Sequence, residues 1–161
     1  MRSSQFDPSI SLVQDIVGFT SMCKQVPPAT VMAFLNKLFS LFDRLSDKYG
    51  IQKIETAGDS YVAAVGILEP DGQGFSVIKK NGEATKNATR MMQFAKAMLI
   101  VSKRVNMPHD GQPVMIRVGL HSGECVTGLV GSKLPKFSVF GECKDGPEGS
   151  HLLLTFDPSH S

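Results

Sequence analysis

Apolar positions recur along this chain in two periods, and their order outlines an alternating plan. Residues 10–14 form a short apolar run that stops at Asp15 and a turn around Gly18, which predicts a buried strand followed by a brief helix through Met22. Pro27-Pro28 then opens a long helix. Val31, Phe34, Leu35, Leu38, Leu41, Phe42 and Leu45 recur at helical spacing, and Gly50 after Tyr49 supplies a stop. Such a helix packs one face on a sheet. Residues 51–56 and 61–67 read as two strands joined at Ala57-Gly58-Asp59-Ser60, a hairpin with Asp59 at its tip. Residues 69–82, rich in Gly and charge and without periodicity, read as a surface loop. A second amphipathic helix is predicted over 84–105, carrying Ala88, Met91, Met92, Ala95, Met98, Leu99 and Ser102 on its apolar face; its Met stripe is adaptable core. Residues 114–120 and 124–130 read as another hairpin across His121-Ser122-Gly123.

The order strand, helix, strand, strand, helix, strand, strand predicts an α+β fold: a ferredoxin-like antiparallel sheet with helices on one face. After Gly141 the pattern is lost. Residues 142–161 read as an atypical, disordered tail in which 152–156 can make one short strand, and residues 1–141 as one domain.

Length and composition narrow the class. A chain of 161 residues, 42% hydrophobic, supports one domain with a sizeable core. A net charge of +2 with scattered lysines argues against a nucleic-acid partner. No apolar run approaches the ~20 residues of a membrane span, and the start of the chain lacks the features of a signal peptide. The expectation is a cytoplasmic domain without direct membrane insertion, one that can belong to a larger, membrane-attached protein. Cys23, Cys125 and Cys143 are odd in number and lack zinc-site spacing, so they read as reduced thiols.

The candidate chemistry rests on two carboxylates. Asp15 and Asp59 each sit where an apolar strand breaks into a tight turn, Asp15 beside a Gly-containing loop. One strand-end Asp is ordinarily a turn cap. Two such carboxylates can hold divalent cations against a nucleoside triphosphate, which points to phosphoryl transfer.

Four motifs extend this reading: Asp15-Ile16-Val17-Gly18-Phe19-Thr20, Lys53-Ile54-Glu55-Thr56-Ala57-Gly58-Asp59-Ser60-Tyr61, Ile116-Arg117-Val118-Gly119-Leu120-His121-Ser122-Gly123 and Lys136-Phe137-Ser138-Val139-Phe140-Gly141. Together, over roughly residues 9–141, the chain resembles the class III nucleotidyl cyclase catalytic domain, the guanylyl cyclases more closely than the adenylyl cyclases. The resemblance implies that Asp15 and Asp59 carry two Mg²⁺ or Mn²⁺ ions, with the Ile16 carbonyl as a further ligand. It implies that the backbone of Val17, Gly18, Phe19 and Thr20 holds the terminal phosphates of GTP and that Arg117 approaches them. Backbone N–H groups in a tight turn and at a helix start suit phosphate oxygens. Arg117 has a second reading, as a structural cation beside a carboxylate. In the family, one metal activates the ribose 3′-hydroxyl and the other neutralises the triphosphate.

Glu55 falls where the family reads the base. A carboxylate only accepts hydrogen bonds, which suits the N1–H and N2–H₂ donors of guanine and opposes the N1 acceptor of adenine. Ser138 falls at the second base-reading position, where a hydroxyl discriminates weakly or bonds to backbone. Lys53 and His121 resemble framework residues and are assigned no chemistry.

The chain departs from the family after Gly141. Members continue with Asp-Thr-Val-Asn and then an Arg on a helix, whereas here the text is Glu142-Cys143-Lys144-Asp145-Gly146-Pro147. Losing a positioned cation from a phosphoryl-transfer site costs about 10³-fold or more in rate, so the chain alone is expected to be inactive. Family domains pair head to tail, so the expected partner is a second copy in a homodimer, or another cyclase domain in a heterodimer that completes one site. The expected function is a guanylyl cyclase catalytic-domain fragment. A non-catalytic nucleotide-binding and dimerisation module, and an adenylyl cyclase domain, stand as alternatives.

Overall fold

The structure is a computed structural model that describes residues 4–5, 9–70, 76–78, 84–123, 125–130, 136–141 and 150–155. Its elements are β1 (Ser4–Gln5), β2 (Ser9–Ile16), α1 (Phe19–Cys23), α2 (Pro28–Tyr49), β3 (Gln52–Ala57), β4 (Ser60–Val65), β5 (Leu68–Pro70), β6 (Ser76–Ile78), α3 (Ala84–Ser102), β7 (Ile116–Gly123), β8 (Cys125–Val130), β9 (Lys136–Gly141) and β10 (Ser150–Thr155).

Five strands pair antiparallel in the order β10-β7-β2-β4-β3. The units β2–α2–β3 and β4–α3–β7 are both split βαβ units, each admitting a strand of the other between its own two. This is the expected ferredoxin-like plan. Period-two burial on the strands fixes which face meets the helices. Ile10, Leu12, Gln14 and Ile16 of β2 are buried, as are Tyr61, Ala63 and Val65 of β4 and Ile116, Val118 and Leu120 of β7. Phe34, Leu38 and Phe42 of α2, with Met91, Phe94, Ala95 and Met98 of α3, complete that core. Each fully buried Val, Leu, Ile, Phe or Met side chain of this core stabilises the fold by about 1.5–3 kcal/mol relative to exposure.

The two helices are also tied end to side. Arg90 of α3 donates from Nε to the Tyr49 carbonyl at 3.0 Å and from Nη2 to the Gly50 carbonyl, satisfying acceptors that the end of α2 leaves open.

Four expectations change. Within 69–82, β5 and β6 pair antiparallel as a small ribbon; the remaining residues of that stretch, 71–75 and 79–82, lie outside the described residues. The second helix ends at Ser102 rather than 105, because Val105 N–H turns back to the Ser102 carbonyl at 3.0 Å and its own carbonyl accepts from Val114 N–H at 2.9 Å. Its inner face includes Asn87 and Phe94, while Ala88 is exposed. The hairpin across His121-Ser122-Gly123 does not form. β7 runs straight through these residues with β2 on one edge and β10 on the other, so no edge is left for β8. β8 instead pairs with β1 and β9 in a separate three-stranded sheet. The short strand expected near 152–156 is present as β10, whereas 142–149 and 156–161 lie outside the described residues.

Candidate functional site

Asp15 and Asp59, distant in sequence, meet at one corner of the sheet. Asp15 is the penultimate residue of β2, and Asp59 is the second residue of the turn between β3 and β4. Gly58 enters this two-residue turn with φ 59°, the positive φ at the first turn position that type II′ requires. The carboxyl groups of Asp59 and Asp15 are in hydrogen-bond contact. Burial first, and then this contact, raise the pKa of Asp59 above the ordinary carboxylate value, while backbone N–H groups of Asp59 and Ile16 partly oppose the shift.

Arg117 lies directly opposite Asp15 in the β2–β7 register, and its Nη2 forms an ion pair with Asp15 Oδ2. The second reading of Arg117, a cation beside a carboxylate, is therefore the arrangement seen. Its side chain remains 55% exposed, leaving the guanidinium open to a further anion.

Past Asp15 the chain turns sharply. Ile16 is buried, and Val17 N–H donates to the Met115 carbonyl at 3.0 Å, holding the strand end in place. Gly18 then adopts φ 78°, ψ 7° as the N-cap of α1, with nothing within 4 Å of where a Cβ would stand. No side chain caps this helix. Its first-turn amides lack intrahelical acceptors and can meet phosphate oxygens. Phe19 packs against the core beneath, and Thr20 is exposed.

The donor set fits a divalent cation. Two carboxylates pressed together and the nearby Ile16 backbone oxygen are hard oxygen ligands, and a cation between them would offset the mutual repulsion that adds to burial and the Asp15 contact in raising the Asp59 pKa. Among the described residues no group of three or more His, Cys, Asp or Glu side chains gathers at one point. Remaining coordination would fall to water, backbone or a bound phosphate, which is the habit of Mg²⁺.

Glu55 is half-buried on β3, opposite Val62, and its Oε2 is shielded from solvent. Val62 in turn faces Val13 on β2, two residues before Asp15, so Glu55, Val13, Asp15 and Arg117 share the sheet face turned away from the helices. Ser138 is on β9, in the three-stranded sheet; the β9 backbone runs close beside β3, and the Ser138 side chain lies outside the described residues.

Sequence reasoning missed Asp43. From α2 it accepts a hydrogen bond from Tyr61 Oη at 2.8 Å and pairs with Lys53 Nζ at 2.8 Å, which makes Lys53 the framework residue it resembles. The available signal was an acid embedded in the apolar face between Phe42 and Ser46. Gln14 was missed as well: it is fully buried on the helix side.

Comparison with known proteins adds to this geometry. The family model for the adenylate and guanylate cyclase catalytic domain matches residues 1–145. Guanylate cyclase soluble subunit beta-2 of Rattus norvegicus is 34% identical over 142 residues, covering 88% of this chain and 19% of that protein. Guanylyl cyclase C of Cavia porcellus is 37% identical over 128 residues, 80% of this chain and 11% of that protein. The chain thus spans a fifth or less of the length of these relatives. The crystal structure of a guanylate cyclase domain from Catenaria anguillulae, in complex with GTP, matches with a TM-score of 0.72 at 26% identity, covering 86% of this chain and 69% of that one.

Proposed function

Because this chain belongs to the adenylate and guanylate cyclase catalytic domain family, we propose that it is part of a guanylyl cyclase whose parent converts GTP to cyclic GMP and pyrophosphate. The observation that carries this reading is the contact between Asp15 and Asp59, with the raised Asp59 pKa, beside the open first turn of α1.

In this reading Asp15 and Asp59, with the Ile16 carbonyl, would hold two Mg²⁺ or Mn²⁺ ions. When bound, such ions make the ribose 3′-hydroxyl a better nucleophile and neutralise triphosphate charge. The backbone N–H groups from Gly18 to Thr20 would cradle the terminal phosphates; Val17, also expected there, has its N–H engaged by the Met115 carbonyl at 3.0 Å. Arg117, paired with Asp15 but with its side chain 55% exposed, would offer its guanidinium to the phosphate oxygens. Glu55 accepts from guanine N1–H and N2–H₂, and Ser138 donates to O6. The attacking 3′-oxygen forms its bond to the α-phosphorus as pyrophosphate leaves. A competent site also needs an Asn and an Arg that this chain does not offer after Gly141, so a second cyclase domain in a dimer supplies them.

The altered text after Gly141 favours a second reading, a nucleotide-binding and dimerisation module without turnover. One experiment separates the two: cyclic nucleotide production from GTP and from ATP with Mn²⁺, by the chain alone and mixed with a complete cyclase domain. Cyclic GMP only from the mixture is the expected result. Cyclic AMP as the main product overturns the guanine assignment. No product in either case, with GTP still bound, moves the module reading ahead.

A further inference from the structure

A Lys-x-Glu triplet in a regular strand puts both charges on one face, since side chains alternate with period two. Here they point to opposite faces. Lys53 pairs with Ala63 and Glu55 with Val62, so the register shifts by one residue between them and Ile54 is the inserted residue of a β-bulge. Directly paired residues share a face. Lys53 therefore stands with Ala63 on the helix side, and Glu55 with Val62 on the open side that carries Asp15.

We propose that this bulge, locked by Lys53, Asp43 and Tyr61, is what aims Glu55 at the substrate base, so that Lys53 and Asp43 are positioning residues for base selectivity. The inference rests on the reading of Glu55 given above. The lock is built from the helix side. Tyr61 is fully buried, with its ring 5.6 Å from Phe42 and 5.7 Å from Phe39, and its hydroxyl donates to Asp43 at 2.8 Å. Lys53 Nζ reaches both Asp43 oxygens, at 2.8 and 3.0 Å, and lies 5.2 Å from the Tyr61 ring centroid. The fixed anchor thus holds the lysine inward. Were β3 to continue its first register with Ile54 paired to Val62 instead of bulged, Glu55 would face Tyr61 and meet the Asp43 carboxylate. Like charges oppose that register, and the Lys53–Asp43 attraction favours the bulged one. Both forces turn Glu55 outward.

The test is equilibrium binding of GTP and of ATP, each with Mn²⁺, to the full chain and its variants, with Glu55→Lys as the benchmark and Mn²⁺ affinity and thermal unfolding as controls. Lys53→Met and Asp43→Asn are each expected to reduce the GTP-to-ATP preference about tenfold, the scale of one lost charge-assisted hydrogen bond, with Mn²⁺ affinity unchanged. Lys53→Arg restores the preference. Because the Lys53 side chain is 37% exposed, its variants keep the test readable where deletion of Ile54 unfolds the chain. A shifted preference in Glu55→Lys but an unchanged one in Lys53→Met and Asp43→Asn overturns the lock alone. A parallel fall in Mn²⁺ affinity also overturns it, since that marks general disruption. A wild-type chain with no preference, or one that Glu55→Lys leaves unmoved, removes the Glu55 reading and the lock with it.

Discussion

The two faces of the five-stranded sheet obey different rules. On the helix side, the residues of the central strands β2, β4 and β7 are mainly apolar and sealed beneath α2 and α3, with Leu12, Ala63 and Val118 fully buried. On the other side stand Asp15, Arg117 and Glu55, together with a half-exposed Val13. Stability is concentrated on one face and candidate chemistry on the other, joined only through the backbone. Charges gathered for binding repel each other and attract water, so they cannot also serve as core. Alternation along β2 lets one strand do both, because neighbouring residues belong to opposite faces.

The separation can be broken most severely from the helix side. Phe42→Ala leaves a cavity beneath the sheet and is expected to cost about 3–5 kcal/mol, read by urea unfolding. On the open side, Asp59→Ala is expected to abolish Mn²⁺-dependent GTP binding while stability stays within about 0.5 kcal/mol. An Asp59 variant that unfolds instead would show that the corner supports the core.

Gln14 tests the helix side from within, because it violates that face's rule. It is fully buried, and neither amide atom finds a hydrogen-bond partner among the described residues. The near-isosteric Gln14→Met removes those groups and is expected to stabilise by about 1–3 kcal/mol. A loss of stability would mean that the amide is satisfied by water.

The smallest effect is at Tyr61. Tyr61→Phe is expected to cost about 0.5–1.5 kcal/mol through the lost bond to Asp43. It carries a pH signature too. Burial, and then the Asp43 carboxylate, raise the Tyr61 pKa above its ordinary 10.0. The unfolded chain therefore gives up this proton first. The contribution is complete below pH 10.0 and is lost as pH rises toward the folded value, and Tyr61→Phe should flatten that part of the stability profile.

Much of this was legible in the sequence because it is local. Helical spacing from Val31 to Leu45 and the stop at Gly50 mark α2, and the structure places that helix at Pro28–Tyr49. Apolar runs interrupted by Gly18 and Gly58 mark the two turns that carry Asp15 and Asp59. Where local patterns ran out, expectations failed. Residues 114–120 and 124–130 are both strand-like, but no periodicity says that β7 spends its edges on β2 and β10 and leaves β8 to another sheet.

The sequence by itself determined the order of the main helices and strands, the residue types at the turns and the acids and backbone amides of the candidate site, because turn chemistry and burial periodicity act over a few residues. Only the tertiary structure decided that Asp15 touches both Asp59 and Arg117, and that one inserted residue parts Lys53 from Glu55. Those facts depend on strand pairing and register, which the packing of the whole core selects and no short stretch of chain encodes.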